Sequence, residues 1–373
     1  MKKRSIIIDL IRILASFMVI MCHVKLPPIR IDGTIDIGKM VIACIVGDGV
    51  AFFWIMSGFF AFRNEDYSKK IKNVFKTIVL PTIMLIFFSI LFFDFIINEH
   101  SFKYCLFNLG SCHSKENIDS LLSGVITFNA SLIPEAPHLW YVFTYIGNYF
   151  WVPILSLLFI KDGNETRIAK RIIFILSILA LIFESIEQFY LLKYGHIIKI
   201  TIVSHSLFLI LIGKTIYDNI DKIRNNKKIR YIGIGMYLIF SGLKIWLQYL
   251  LYSKNVANTF FLQWSSMPAI LDTIGLIIFL LTFDIKSNKV ISYIGKATFG
   301  IYLIHWAVKE KIAYIGFNEK LFSFFNVDSS SFLSELLYTI VLSFIVFIIS
   351  LLIVLLLKLL KESVKCLKKL KSY

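Results

Sequence analysis

Long apolar runs, separated by short polar breaks, recur along the whole chain. A helix of roughly 20 apolar residues crosses the hydrocarbon core of a bilayer, and continuous rather than alternating apolar runs favour helices over barrel strands. The pattern therefore predicts an all-α polytopic membrane protein with about ten transmembrane helices. The predicted spans are residues 5–24, 41–62, 75–97, 138–160, 171–192, 197–216, 230–252, 263–283, 290–308 and 336–357.

Composition agrees with this class, since 57% of the 373 residues are hydrophobic and the mean hydropathy is +0.75. The net charge of +16 is explained by topology rather than by nucleic acid. If the N-terminus is cytoplasmic, the inner segments hold more than twice as many Lys and Arg residues as the outer ones. Both termini are therefore expected in the cytoplasm. Asp9 and Arg12 interrupt the first apolar run, so we interpret it as a retained helix and not as a signal peptide.

The chain divides into a transmembrane domain, residues 1–357, and a basic cytoplasmic tail, residues 358–373, that would lie against anionic lipid headgroups. Two outer segments, 98–137 and 309–335, are long enough to suggest function. Cys105 and Cys112 lie in the longer one, either as a disulfide or as free thiols. The cysteines show no metal-ligand spacing, and no metal is expected.

The stretch "DLIRILASFMVIMCHV" in the first span carries Asp9, Arg12, Ser16 and His23. Eleven steps at 3.6 residues per turn are almost three turns, so Arg12 and His23 point the same way, about 16 Å apart along the axis. Charged residues within a span nearly always face a protein interior or a water-filled cavity. This polar stripe is therefore predicted to line a cavity. Taken singly, the same residues are also consistent with an Asp9–Arg12 ion pair and an interfacial histidine.

A cavity that touches both Arg12 and His23 would pass most of the way through the membrane. It suits a long anionic ligand that enters from the cytoplasm, such as an acyl-CoA. The nucleotide would remain at the basic inner surface, and the pantetheine arm would deliver the thioester toward the outside.

Five motifs follow one another along nearly the whole chain. They are Asp9 and Arg12 followed by His23; "GVAFFWIMSGFFAFR", 49–63; "KKIKNVFKTIVLP", 69–81; "HLWYVFTYIGNYFWVPIL", 138–155; and "FGIYLIHW", 299–306. In this order they resemble the acyltransferase 3 family of bacterial integral-membrane O-acyltransferases. Where that family often has aspartate in the second motif, this chain has Ala51, with Asp48 three residues earlier.

The resemblance implies transfer of an acyl group, most often acetyl, from cytoplasmic acetyl-CoA or another acyl-CoA to a hydroxyl of an extracytoplasmic glycan. O-antigen, capsule or another surface polysaccharide is the implied acceptor, and the bacterial inner membrane is the implied location. An exporter or flippase of polysaccharide is the alternative, and a sensor or purely structural membrane component is a second.

On this interpretation His23 is the general base, since an imidazole titrates near working pH. Asp48 or Glu187 would orient its ring, and an acyl-histidine intermediate is the rival mechanism. The catalytic candidates are thus His23, Arg12 and Asp48. The donor-binding candidates are Arg12, Asp9, Ser57, Arg63, Lys72 and Lys76. The acceptor-binding candidates are His138, Trp140, Tyr302 and His305. Ser57, Trp140, Tyr302 and His305 are all plausible donors to the thioester oxygen.

Overall fold

The computed structural model describes residues 6–29, 33–62, 67–92, 137–160, 164–194, 204–254, 259–286, 288–327 and 331–370. These residues are almost entirely helical, and they include no strand beyond an isolated bridge between Ile29 and Ile35. The predicted all-α class is confirmed for this part of the chain. Arg63, Cys105 and Cys112 lie outside the described residues.

The described helices are numbered in chain order. They are α1 Ile6–Val24, α2 Ile37–Val46, α3 Gly49–Ala61, α4 Tyr67–Val74, α5 Leu80–Phe92, α6 Trp140–Ile160, α7 Asn164–Tyr194, α8 His205–Asp218, α9 Ile220–Ile223, α10 Lys227–Ser253, α11 Met267–Leu281, α12 Lys289–Gly295, α13 Thr298–Tyr314, α14 Phe317–Phe324 and α15 Phe332–Leu370. A π-helical turn, Phe75–Val79, joins α4 to α5, and 3₁₀ turns occupy Pro137–Leu139 and Phe260–Leu262.

Stretches of helix long and apolar enough to cross a membrane confirm the membrane class. Each of the predicted spans coincides with a described helix over at least part of its length. The number of about ten spans and the cytoplasmic position of both termini stay predictions. In the described residues, five stretches meet the criterion: Ile6–Val24, Ile37–Ala61, Lys227–Ser253, Phe260–Leu281 and Phe332–Ser363.

Polar residues begin several of these helices in the way their sequences predict. The side chain of Asp36 accepts a hydrogen bond from the backbone N–H of Lys39 at 3.2 Å, at the start of α2. Ser204 caps α8 and Asn226 caps α10 by the same geometry. Each cap satisfies a backbone donor that the first helical turn leaves without an intrahelical partner.

The residues fall into two compact units. The first comprises residues 1–71 and 144–288, and the second comprises 72–143 and 289–373. Glycines bring the helices of the first unit into direct backbone contact. A Cβ on Gly58 of α3 would lie 2.0 Å from the carbonyl oxygen of Ile210 in α8, and one on Gly213 would lie 1.9 Å from that of Ile55. Gly233 of α10 and Gly275 of α11 meet in the same way, as small residues do where membrane helices pack.

The second predicted span, 41–62, is not one continuous helix. It is broken at Gly47 and Asp48, between α2 and α3. A Cβ on Gly47 would lie 2.0 Å from the carbonyl oxygen of Leu262, in the 3₁₀ turn that precedes α11. The break is therefore packed against the connection between α10 and α11, where no side chain larger than hydrogen fits. Asp48 lies at this break.

In the second unit, α13 packs against α15 through Gly300. A Cβ there would meet both methyl groups of Val354 at 2.9 Å. Helix α15 runs for 39 residues, which corresponds to about 58 Å of helix and exceeds the hydrocarbon thickness of about 30 Å. The predicted basic tail therefore begins within this helix and continues it to Leu370.

Candidate active site

Helix α1 carries the polar stripe that the sequence predicts. Asp9 and Ser16 are buried, and Arg12 and His23 are half-buried on a helix whose apolar residues are mostly buried. His23 lies in the last turn, eleven residues beyond Arg12. The side chains of Arg12 and His23 thus remain partly exposed, whereas those of Asp9 and Ser16 do not.

Arg12 lies within electrostatic range of the hydroxyl of Tyr145 on α6. The ring of Tyr145 stacks on Trp54 of α3, with 6.3 Å between centroids, and Trp54 contacts Trp264 at 6.4 Å. Trp54 is fully buried. Tyr145, Trp54 and Trp264 therefore form a row of aromatic rings, and the hydroxyl end of Tyr145 lies within the electrostatic range of Arg12.

A second cluster lies in the second unit, around His138 and α13. The Nε2–H of His138 donates to the carbonyl oxygen of Leu303 at 3.2 Å, and the Nδ1–H of His305 donates to that of Tyr302 at 2.5 Å. The hydroxyl of Tyr302 donates to the carbonyl oxygen of His138. Because a carbonyl can only accept, these bonds place a hydrogen on Nε2 of His138 and on Nδ1 of His305.

Aromatic rings enclose this histidine pair. His138 and His305 have ring centroids 5.0 Å apart, and His138 lies parallel to Trp306 at 5.7 Å. The sequence-predicted residues His138, Tyr302 and His305 are therefore brought together. Trp140 contacts Tyr141, which in turn contacts Tyr302 at 5.5 Å.

Asp48, Lys244 and Asp272 form a buried trio in the first unit. The Lys244 ammonium donates to both carboxylate oxygens of Asp48 at 2.7 Å and lies 2.7 Å from Oδ2 of Asp272. The hydroxyl of Ser241 donates to the same Asp272 oxygen at 3.1 Å. All three charged side chains are at most 3% exposed. The carboxylate that the sequence suggests as a partner for His23 is thus bound by Lys244, and its catalytic role stays a prediction.

The family model of acyltransferase 3, which describes an acyltransferase domain, matches residues 5–355. The chain belongs to this family. No curated protein and no solved structure matches it. Family membership, together with the apolar helices, makes the protein a membrane acyltransferase.

The other predicted donor-binding residues of this acyltransferase occupy different settings. Ser57 donates its hydroxyl to the carbonyl oxygen of Phe53, one turn earlier in α3, at 2.8 Å. Lys72 on α4 and Lys76 in the π-helical turn are both exposed. Lysines at the surface can contact a phosphate without any rearrangement of the helices that carry them. Their role in donor binding stays a prediction.

Sequence reasoning missed two features of the acyltransferase. It assigned no role to Trp54 or Tyr145, and no spacing rule indicates that these two rings stack on each other. It also did not identify Lys244 and Asp272 as the partners of Asp48. The available signal was charge, because Lys244 lies in the middle of the seventh predicted span and both aspartates lie in or beside apolar segments.

Proposed function

We propose that this acyltransferase moves an acyl group, most often acetyl, from cytoplasmic acyl-CoA through the membrane to a hydroxyl of an extracytoplasmic glycan. O-antigen, capsule or a related surface polysaccharide is the proposed acceptor class. The proposed setting is a bacterial inner membrane, crossed by about ten helices with both chain ends in the cytoplasm and lipids around the apolar faces.

One observation carries the proposal: in a chain of this family, a cation and an imidazole lie half-buried on the same helix, eleven residues apart. That separation corresponds to about 16 Å of helix. It matches an extended thioester arm whose anionic part is bound at one end and whose carbonyl reacts at the other. Charged residues within a span nearly always face the protein interior or a water-filled cavity, where an anionic ligand can reach them.

The proposed chemistry is direct transfer. His23 accepts the proton of the glycan hydroxyl as that oxygen attacks the thioester carbonyl. The carbon–sulfur bond then breaks, and the CoA thiolate leaves and takes up a proton to form the thiol. Arg12 binds the donor arm or a phosphate.

The carboxylate that orients His23 is proposed to be Glu187 or Asp48. Glu187 on α7 is buried, and its Oε1 accepts no hydrogen bond from the described residues. It therefore retains an acceptor that a histidine ring could use. Both oxygens of Asp48 already accept from Lys244, which favours Glu187.

The cluster around His138 is proposed as part of the acceptor site. It combines histidine and tyrosine side chains, which hydrogen-bond to sugar hydroxyls, with the indole of Trp306, a kind of ring that packs against the apolar face of a pyranose. Trp140 and Tyr302 complete the proposed surface.

The test is transfer by purified full-length protein in proteoliposomes, with labelled acetyl-CoA on one side and surface polysaccharide from the native host on the other. Labelled O-acetyl glycan is expected with wild type and with Arg167→Ala, an exposed arginine on α7 that serves as the matched control. Loss of transfer in Arg12→Ala and His23→Ala is expected. Wild-type transfer by either variant at normal abundance would overturn the assignment, and glycan transport without acyl transfer would favour an exporter.

A further inference from the structure

We propose that Asp48, Lys244 and Asp272 form a proton-binding site, in which one of the two carboxyl groups is neutral and the other pairs with the ammonium. The trio joins three elements of the first unit: the break before α3, the middle of α10, and α11. It is separate from the acyl-transfer chemistry assigned to α1.

The charge count requires a neutralising ligand. Two carboxylates and one ammonium leave one uncompensated negative charge, in side chains that are 3% exposed or less. The charged groups that act on Asp48 are Asp272 and Lys244, and Lys244 is the cation that acts on Asp272. Cys44 on α2 and Tyr237 on α10 are the other titratable groups in range, and neither supplies positive charge. An uncompensated buried charge is costly, and two carboxylates that share a site therefore bind a proton.

The hydrogen bonds hold both carboxyl groups against one cation. Three of the four carboxylate oxygens face the Lys244 ammonium at 2.7 Å. Asp272 also accepts from the hydroxyl of Ser241 at 3.1 Å and from the backbone N–H of Thr273. The two carboxyl groups therefore share one ammonium and bind one proton between them.

Charge balance predicts the same spectroscopic change for substitution of either aspartate. In Asp48→Asn or Asp272→Asn, the one remaining carboxyl becomes the sole partner of Lys244 and is ionised. Either substitution should thus abolish the neutral acid. If both carboxyl groups were ionised in the wild type, neither substitution would remove a neutral acid. Asparagine keeps an oxygen that accepts from the ammonium, so both variants retain the packing.

The experiment is infrared difference spectroscopy on the purified full-length protein at neutral pH. The C=O stretch of a neutral carboxylic acid is resolved from that of a carboxylate. Subtraction of the variant spectrum from the wild-type spectrum therefore shows the absorbance of the neutral acid that the variant lacks. Each of Asp48→Asn and Asp272→Asn should lose the absorbance of one neutral acid. Asp218→Asn, which removes an exposed carboxylate paired with Lys214, should lose none.

No loss in either variant, or loss in only one of them, would overturn the proposal. Thermal unfolding in detergent gives a second readout that does not depend on acyl transfer. Each single variant should unfold close to wild type, because each leaves one cation and one anion. The double variant Asp48→Asn/Asp272→Asn leaves Lys244 without an anion and should unfold well below both. A single variant that fails to fold would count against the proposed proton as strongly as an unchanged spectrum.

Discussion

Two sets of charged groups lie in the first unit, and they differ in access. Arg12 and His23 are half-buried on α1, whereas Asp48, Lys244 and Asp272 are sealed and bind one another. The trio uses its hydrogen-bonding capacity internally and has little left for a substrate. The α1 pair keeps a surface on which a ligand can act. The partly exposed charged groups of the spans are therefore the candidates for catalysis. The buried charged groups, which bind one another, are the candidates for holding the helices together.

The strongest test of this contrast is His23→Ala. We expect acyl transfer to fall by about 10²- to 10⁴-fold, the contribution typical of a general base, with thermal unfolding unchanged. Initial rates with labelled acyl-CoA and the melting temperature in detergent measure the two halves of the prediction. A parallel fall in melting temperature would remove the distinction between the α1 pair and the trio.

Lys244→Met should have the opposite profile. Removal of the ammonium leaves two buried carboxyl groups without a cation, and breaking a buried pair in this way costs about 3–5 kcal/mol of unfolding free energy. Denaturant unfolding and the yield of monodisperse protein measure the loss. Addition of Asp48→Asn and Asp272→Asn to Lys244→Met makes the site neutral and should restore much of it. Wild-type stability of Lys244→Met would show that the trio contributes little.

Substitution of Arg12 tests whether this partly exposed cation binds the acyl donor. Arg12→Ala removes a charge-assisted hydrogen bond worth about 1.5–3 kcal/mol, so the Michaelis constant for acyl-CoA should rise by about 10- to 100-fold. Arg12→Lys keeps the charge without the planar fork and should show a smaller rise. Equal effects of the two substitutions would mean that shape, and not charge, is recognised. Arg167→Ala should leave the constant unchanged.

Glycine contacts show whether α3, which begins beside Asp48, is held by packing as well as by charge. A Cβ at Gly58 meets the backbone of α8 at 2.0 Å, whereas one at Gly242 meets nothing within 4 Å. Gly58→Ala should destabilise the protein by about 1–3 kcal/mol. Gly242→Ala should stabilise it by up to about 1 kcal/mol, since alanine favours the helix. Thermal unfolding of the pair gives the comparison, and equal behaviour would contradict the close contact.

The smallest effect is expected at His205. Its Nε2 lies 2.7 Å from the Glu184 carboxylate, but both side chains are partly exposed. Such a pair contributes about 0.2–1 kcal/mol, so His205→Gln should change neither stability nor transfer by more than that. It is the matched histidine control for His23, and a large loss of transfer would add this pair to the site.

Local pattern was sufficient to predict the helices and the stripe on α1. Both depend on neighbours in sequence, namely apolar run length and the 3.6-residue repeat. The break at Gly47 and Asp48 was not predicted, because the run from Ile37 to Ala61 is apolar enough to form one span and the break depends on a contact with Leu262.

The same limit explains the candidate site. Arg12 and His23 belong to one helix, so their spacing already places them on one face. Lys244 and Asp48 are 196 residues apart, and His138 and Leu303 are 165 apart. No periodicity spans such distances, and only the packing of helices brings these groups together.

The long separation within the trio also bears on how the protein is made. At about 5–20 residues per second, a ribosome completes Asp48 roughly 10 to 40 s before Lys244. An ionised aspartate costs about 3 kcal/mol in an inserting helix, so Asp48 enters the bilayer more readily as a neutral acid. It can give up that proton only when α10 arrives with its cation, and α11 follows with the second acid. The trio thus forms late in biogenesis, and it forms only when the three segments that carry its side chains have been inserted and packed together.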